Sequence, residues 1–259
     1  FKSHVPLVMI ELTRVYRQRE RNFIQLLDAI RTMQFDYEEL DSLNERYLPD
    51  EPIEEPYLTL CSTNAAAQQI NKDRLALLTT PSFYYSGEVK GDFNPKLFPT
   101  DYKLELRLDG QVMLIRNDPE KRFVNGSLAR IVGLEEEKII VSMTSDGCKS
   151  EVFELPKMTW EVNKYTLSTD TDNPIKAEVI GSFIQYPVRL AWAVTIHKSQ
   201  GKTYERVAID LGRGAFEHGQ TYVALSRCTS LNGVFLKKPL TPRDIMVDER
   251  VAEFYETMR

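Results

Sequence analysis

The sequence has few cysteines, no long apolar run and no initiating methionine. Its cysteines, Cys61, Cys148 and Cys228, are odd in number and far apart, which fits neither a disulfide framework nor a zinc site. We therefore expect a reducing compartment, most simply the cytoplasm. No apolar segment approaches the roughly 20 residues that cross a bilayer, and the start lacks the features of a signal peptide. We expect no membrane partner, and an excised piece of a longer protein because the chain begins at Phe1.

The charge of the chain is unevenly distributed. The 259 residues carry a formal net charge of -5, which argues weakly against binding of nucleic acid. However, positions 28–56 hold ten acidic and two basic residues, whereas positions 186–243 hold nine basic and three acidic residues. A polyanion responds to the local patch rather than to the total charge. Both runs are also compatible with ordinary solvated faces.

The two ends of the chain have the sequence pattern of an α/β protein. Apolar residues at helical spacing predict one amphipathic helix, and Asp36 is a plausible N-cap for a second helix that carries Leu40, Leu43 and Tyr47. The apolar stripe of the first helix comprises Phe23, Leu26, Leu27, Ile30 and Met33. A strand at Tyr57–Cys61 runs directly into a helix capped by Thr63-Asn64, whose Ala66, Ile70 and Leu77 are predicted to face inward. A strand that feeds a capped helix indicates α/β layering.

The middle of the chain is rich in short strands. Leu104, Leu106 and Leu108 alternate with charged residues, and Asp109-Gly110 is a hairpin turn signal. Further strands are predicted at 111–115, 128–132, 138–143, 151–155 and 177–185, with almost no helix, which is typical of a small barrel. After Tyr186 the pattern returns to strands at 206–211 and 234–236 and to helices that begin near 219 and 247. We predict one α/β domain over 1–109 and 186–259, interrupted by an all-β module at 110–185.

The densest cluster of polar groups lies in the stretch 191–203. An apolar run is followed by Thr195, His197, Lys198, Ser199 and Gln200, which offer donors of several shapes within one or two turns. Such a set suits an anion such as phosphate. Any single member, a lone His197 included, is more simply a packing residue.

A phosphate-binding P-loop is excluded at this stretch. Gly201-Lys-Thr has the form of the end of that motif, but Ile196 stands where the first glycine is required. Nothing else in the sequence matches a P-loop, so we expect no tight binding of ATP by this chain alone. The acidic run at 36–55 lacks metal-ligand geometry and His4, His197 and His218 are scattered, which disfavours a nuclease.

Two arginines stand at suggestive places. Arg17 lies between a short strand predicted at 8–12 and a helix, and Arg227 lies at the end of a mostly apolar helix. An arginine at the end of a helix is often only a favourable charge for the helix dipole. Neither residue identifies a function by itself.

Three segments together resemble a family. Leu12–Gln18, Thr195–Gly201 and Gly219–Arg227 resemble, in order and spacing, the late motifs of superfamily-one DNA helicases of the RecD/Pif type. Gly110–Leu114 and Val124–Gly126 resemble the place where these helicases insert an SH3-like barrel into their second RecA-like domain. The resemblance implies a RecA-like parallel sheet with helices on both faces, interrupted by a small SH3-like barrel, in the carboxy-terminal half of a 5′→3′ helicase.

The resemblance also implies roles for individual residues. Arg17 and Arg227 correspond to arginine fingers that reach the γ-phosphate of ATP, and Gln18 and Gly201 would lie near the nucleotide. The remaining implied contacts are to the backbone of single-stranded DNA, by Thr63, Asn64, Thr195, His197, Lys198 and Ser199. For Thr63 and Asn64, a plain helix cap is an equally good reading.

The elements that this family uses to grip ATP are missing from the sequence. Its P-loop and its acidic magnesium pair belong to the first RecA-like domain, so we expect ATP with Mg²⁺ to be bound mainly by a missing amino-terminal domain, and we name no metal site here. The expected partners are that domain and single-stranded DNA. The alternative is a non-catalytic module that binds single-stranded nucleic acid or protein.

Overall fold

A computed structural model describes residues 10, 14–53, 55–143, 151–167 and 175–258. Its helices are α1 (Arg21–Thr32), α2 (Tyr37–Asn44), α3 (Asn64–Leu77), α4 (Gln220–Leu225) and α5 (Glu249–Met258). Its strands are β1 (Leu58–Cys61), β2 (Phe83–Ser86), β3 (Glu88–Gly91), β4 (Lys103–Leu106), β5 (Gln111–Leu114), β6 (Leu128–Glu135), β7 (Lys138–Met143), β8 (Glu151–Leu155), β9 (Met158–Leu167), β10 (Ile175–Gln185), β11 (Val188–Leu190), β12 (Ala193–Thr195), β13 (Val207–Asp210) and β14 (Val234–Leu236). The predicted strand at 8–12 lies almost wholly outside the described residues, as do Cys148 and His4.

The chain forms two compact units. The terminal unit comprises Phe1–Pro52 and Thr203–Arg259, and the central unit comprises Ile53–Lys202. These bounds differ from the predicted domains at 1–109 with 186–259 and at 110–185. A compact unit is a set of residues that lie close together, and it need not coincide with a domain of a known fold. The predicted domain division therefore stays a prediction.

The terminal unit is built on an amphipathic helix that packs against two others. α1 buries Phe23, Leu26, Leu27 and Ile30, as their spacing predicts, and contacts α2 and α4. Met33 was placed on the same stripe, but it ends the helix in a left-handed conformation and is 53% exposed. A side chain beyond the last turn no longer follows the helical period, so that assignment was wrong.

The start of α2 agrees with the sequence. The side chain of Asp36 accepts hydrogen bonds from the backbone N–H groups of Glu38 and Glu39. In return, the Glu39 carboxylate accepts a hydrogen bond from the backbone N–H of Asp36. This reciprocal pair satisfies donors that every helix start leaves open. Leu40 and Leu43 are buried as expected, whereas Tyr47 lies beyond the helix.

The strands of the terminal unit form a parallel pair. β13 pairs with β14, with Val207 opposite Val234 and Ile209 opposite Leu236. All four side chains are buried. A continuous apolar run buried on both faces is what parallel strands require, and both strands were predicted.

The central unit contains a second parallel pair, which is covered by α3. β1 pairs with β12, with Thr59 opposite Ala193 and Cys61 opposite Thr195. Ala67 and Leu75 form the buried face of α3, and Ile70 is partly buried. Leu77, predicted to face inward, is 74% exposed because it is the last residue of the helix. The two parallel pairs and the helices make the chain a mixed α/β protein.

Most of the central unit is antiparallel sheet. Five strands pair in the order β11-β5-β6-β7-β8, and three pair in the order β3-β10-β9. A core cluster of the central unit is formed mainly by residues of this sheet and includes Leu106, Leu114, Ile131, Ile139 and Tyr186. The short strands predicted at 111–155 are therefore present.

One prediction for this region was wrong, and one strand was missed. β4 pairs with β2 rather than with β5, so Asp109-Gly110 joins strands of two different sheets instead of closing a hairpin. Asp109 has the positive φ of a tight turn, and a turn signal does not state which strands it connects. β9 was not predicted; it pairs along its length with β10.

Within the described residues, no helix is both long and apolar enough to span a bilayer.

Asn71 is expected to hold β12 in place. Its side-chain amide donates to the carbonyl oxygen of Ala193 at 2.8 Å and accepts from the Ala193 N–H at 2.9 Å. Loss of a half-buried partner pair of this kind costs about 1–3 kcal/mol. We expect Asn71→Ala to lower the free energy of unfolding by that amount in urea titrations. Gln68→Ala, on the exposed side of the same helix, is the control, and equal stabilities of the two variants would contradict the assignment.

Candidate nucleotide and nucleic-acid sites

The first candidate site lies in the terminal unit at the end of α4. Gly219 precedes the helix with φ +72°, a left-handed conformation that favours glycine. The helix then has the side chains of Thr221, Ala224 and Leu225 on its buried side. The helix ends at Leu225 with Ser226 as its C-cap. Arg227 therefore lies just beyond the helix, where the last carbonyl groups have no helical partner.

Arg227 is held against its own helix. Its side chain is largely buried; Nε donates to the Val223 carbonyl oxygen at 2.9 Å, and Nη2 donates to the Ser226 hydroxyl at 2.8 Å. Burial lowers the pKa of Arg227, and the nearby charge of Arg17 lowers it further. The guanidinium is therefore positioned and partly stripped of water before any ligand arrives.

Arg17 and Gln18 converge on the same helix end. Arg17 donates from Nη1 to the Ser226 carbonyl oxygen at 2.9 Å and from Nε to the Thr203 hydroxyl at 2.8 Å. The buried amide of Gln18 donates to the carbonyl oxygens of Ser226 at 3.0 Å and Cys228 at 2.8 Å. Two segments separated by about 200 residues are thus brought together around Ser226, although the roles predicted for Arg17, Gln18 and Arg227 are not tested by this geometry.

Tyr204 completes this site and was not anticipated. Its N–H donates to the Arg227 carbonyl oxygen, and its own carbonyl oxygen accepts from the Thr229 N–H. Its hydroxyl is buried, and no described residue forms a hydrogen bond with it. Burial raises the pKa of the Tyr204 hydroxyl. A strand-like tyrosine gives little sequence signal, so only its position just after Gly201-Lys-Thr could have drawn attention.

The second candidate site is a cleft of ≈ 420 Å³ in the central unit. Three of the predicted DNA contacts line it: Asn64 at the start of α3, Thr195 at the end of β12, and Lys198. The lining also includes basic residues that were not predicted, Lys72, Lys103 and Arg189. Because Asn64 and Thr195 follow two paired parallel strands, they meet at the same edge, where parallel sheets usually bind ligands.

The other predicted contacts do not line this cleft. Thr63 caps α3 by accepting from the Ala66 N–H at 3.2 Å. Ser199 is completely buried, and its hydroxyl donates to the Ile196 carbonyl oxygen. His197 is exposed on the same short 3₁₀ turn, and Gly201 has φ +76° in open space. Their predicted roles stay predictions.

The charges of the cleft oppose one another. Burial lowers the pKa of Lys198, as does the neighbouring Arg189, whereas Asp101 raises it. Burial also lowers the pKa of Arg189, and Asp101 again acts in the opposite direction. A cleft in which cations lie together favours an anionic ligand.

No protein-family model matches the chain. Individual relatives do match it, and they are ATP-dependent DNA helicases. The chain is 34% identical to the human helicase PIF1 over its whole length, which is 39% of that protein. It is 30% identical to Pif1 of Bdellovibrio bacteriovorus over 95% of the chain and 54% of the relative. The chain thus spans about half or less of these relatives.

Solved structures give the same result. Unliganded Pif1 from a Bacteroides species superposes with a TM-score of 0.82 at 34% identity, over 94% of this chain and 55% of that one. The same helicase bound to single-stranded DNA matches with a TM-score of 0.72, and its complex with ADP-AlF4 with a TM-score of 0.81, each at 35% identity and over 96% of this chain and 56% of that one. The chain belongs to the Pif1 family of superfamily-one DNA helicases, which confirms the resemblance seen in the sequence.

No metal-binding cluster is visible in the part of the chain that the structure describes. No three His, Cys, Asp or Glu side chains there lie close enough to hold an ion.

The amide of Gln18 is expected to seal the segment that follows Arg227. Burial raises the pKa of the Cys228 thiol to about 11, so at pH 8 only about one part in a thousand is thiolate. Replacement of Gln18 by Ala removes the donor to the Cys228 carbonyl and loosens this segment. We expect Gln18→Ala to speed alkylation of Cys228 by iodoacetamide at pH 8 about tenfold or more, measured by peptide mass spectrometry. Replacement of the exposed neighbour, Arg19→Ala, should leave the alkylation rate of Cys228 unchanged. Equal alkylation rates in Gln18→Ala and Arg19→Ala would contradict the proposed effect of Gln18.

Proposed function

We propose that the chain is the carboxy-terminal half of an ATP-dependent DNA helicase, which supplies arginine fingers and a grip on single-stranded DNA. The observation that carries the proposal is the convergence of Arg17 and Arg227 around Ser226. The relatives support it, because they are named as ATP-dependent DNA helicases. They do not favour the non-catalytic module.

Arginine fingers suit the chemistry of phosphoryl transfer. Negative charge is spread over the γ-phosphate oxygens in the transition state, and a planar guanidinium donates to two of them at fixed geometry. Arg227 is held by Val223 and Ser226, so it loses little freedom when it engages the phosphate. Gln18 and Gly201 are proposed to lie beside the nucleotide.

The ATP that Arg17 and Arg227 are proposed to contact would be bound by another domain. A first RecA-like domain of the same protein would hold the nucleotide with Mg²⁺, because this sequence has neither a P-loop nor an acidic magnesium pair. This chain's contribution is then limited to the charges that stabilise the transferred phosphoryl group. A reducing cytoplasm is proposed, and it suits the two buried cysteines, Cys61 and Cys228.

Single-stranded DNA is proposed to bind at the cleft of the central unit. Asn64, Thr195 and Lys198 line it, and Thr63, His197 and Ser199 are proposed to act with them on the DNA backbone. The direction of movement, 5′→3′, follows from the family. The strands between 110 and 185 are proposed to form an SH3-like barrel inserted into a RecA-like domain, where it steadies the strand or the duplex ahead.

Removal of the Arg227 guanidinium is expected to abolish turnover but not DNA binding. In a helicase that joins this chain to its P-loop domain, Arg227→Ala should slow DNA-stimulated ATP hydrolysis by about 10³–10⁵-fold. The dissociation constant for an oligonucleotide should change less than twofold, measured by fluorescence anisotropy. Arg31→Ala, which removes an exposed guanidinium from α1, is the control. A rate for Arg227→Ala within tenfold of wild type would remove the finger assignment.

The 259-residue chain alone is expected to bind DNA without hydrolysing ATP. It lacks the groups that hold the triphosphate, whereas the basic cleft is present. We expect no turnover above background in a phosphate-release assay, and weak binding of single strands that falls steeply with salt. Sustained hydrolysis by this chain would exclude the proposed division of labour.

A further inference from the structure

The cleft of the central unit contains an arginine that the sequence motifs do not include. Arg189 is the middle residue of β11, which pairs antiparallel with β5, so that Arg189 lies opposite Met113. Its neighbour Val188 is fully buried, and alternate residues of a strand point to opposite faces. The paired strand therefore fixes the backbone of Arg189, which lines the cleft.

Within the part of the chain that the structure describes, the guanidinium of Arg189 forms neither a hydrogen bond nor an ion pair. It is partly buried. A desolvated charge that is not paired is costly. A fold that keeps such a group on a paired strand favours a ligand that pairs with it.

The electrostatic surroundings select an anion. Arg189 acts on Lys198 and on Lys202, lowering the pKa of each, and Asp101 is the carboxylate that acts against Arg189. The cleft has one further acidic residue, Glu105, which accepts a hydrogen bond from Ser82. The lining of the cleft thus has four basic side chains against two acidic ones.

The chemistry of the lining selects the backbone of a nucleic acid rather than its bases. The residues that line the described cleft include amides, a hydroxyl and four basic side chains, and no aromatic ring. Bases bind single-strand sites by stacking on aromatic rings, whereas phosphates are bound by guanidinium, ammonium and amide donors. The cleft suits a phosphodiester group and its sugar.

We propose that Arg189 binds a backbone phosphate of the single strand, and that the charge of Asp101, which lines the same cleft, opposes this binding. The inference rests on the proposed function, since it takes the cleft to be the DNA grip. It adds two residues with opposite effects. Loss of Arg189 weakens binding, and loss of the Asp101 charge strengthens it.

The test is a salt titration of the 259-residue chain with a fluorescent 15-nucleotide oligothymidylate. Arg189→Gln should raise the dissociation constant about tenfold at 50 mM KCl and should reduce the slope of log K against log[KCl] by about 0.7, the value for one phosphate of a single strand. Arg189→Lys, which keeps the charge, should restore the slope. Asp101→Asn should lower the dissociation constant about two- to fivefold. An oligonucleotide of abasic sites should show the same loss with Arg189→Gln.

Controls separate this inference from the proposed function. Lys96→Gln removes an exposed charge outside the cleft and should leave binding unchanged. If Lys198→Gln weakens binding and Arg189→Gln does not, the inference is overturned and the DNA grip remains. If the wild-type chain binds no oligonucleotide, or no cleft variant alters its binding, both are overturned. If Arg189→Gln does not fold, as judged by circular dichroism, Asp101→Asn decides, and unchanged affinity in that variant overturns the inference.

Discussion

The carbonyl oxygen of Ser226 is the point on which the terminal unit's site depends. It lies at the end of α4, where helix carbonyls have no internal partner and carry partial negative charge. Arg17 and Gln18 both donate to it, so an exposed segment far away in sequence is tied to the helix that ends in Arg227. Without this acceptor, Arg17 would keep only its hydrogen bond to the Thr203 hydroxyl, and its guanidinium would no longer be tied to the helix end beside Arg227.

The burial of Arg227 has a cost and a use. Removal of a guanidinium from water is unfavourable, and a second cation nearby adds to the penalty; both lower the pKa of Arg227. The hydrogen bonds to Val223 and Ser226 offset part of that cost. In the role proposed for Arg227, such a fixed donor would need little reorganisation when negative charge develops beside it, and such preorganisation is the largest contribution to many enzymatic rates.

Local signals in the sequence predicted the elements better than their partners. The stripe of α1, the capping box at Asp36 and the buried strands β13 and β14 follow from spacing and side-chain chemistry, which act over a few residues. The pairing of β4 with β2 depends on contacts between sheets, which no turn signal encodes. Arg189 was missed for the same reason: the role proposed for it depends on Lys198 and Asp101, which the fold brings into the same cleft.

The two sites share an electrostatic design that the net charge conceals. In the terminal unit Arg17 acts on Arg227, and in the central unit Arg189 acts on Lys198 and Lys202. Cations held close together repel each other in the free protein, and the phosphate proposed to enter each site would remove part of that repulsion. Salt screens exposed charges beyond about 10 Å. The acidic residues that make the whole chain negative therefore weaken such a site only where they lie next to it, as Asp101 does.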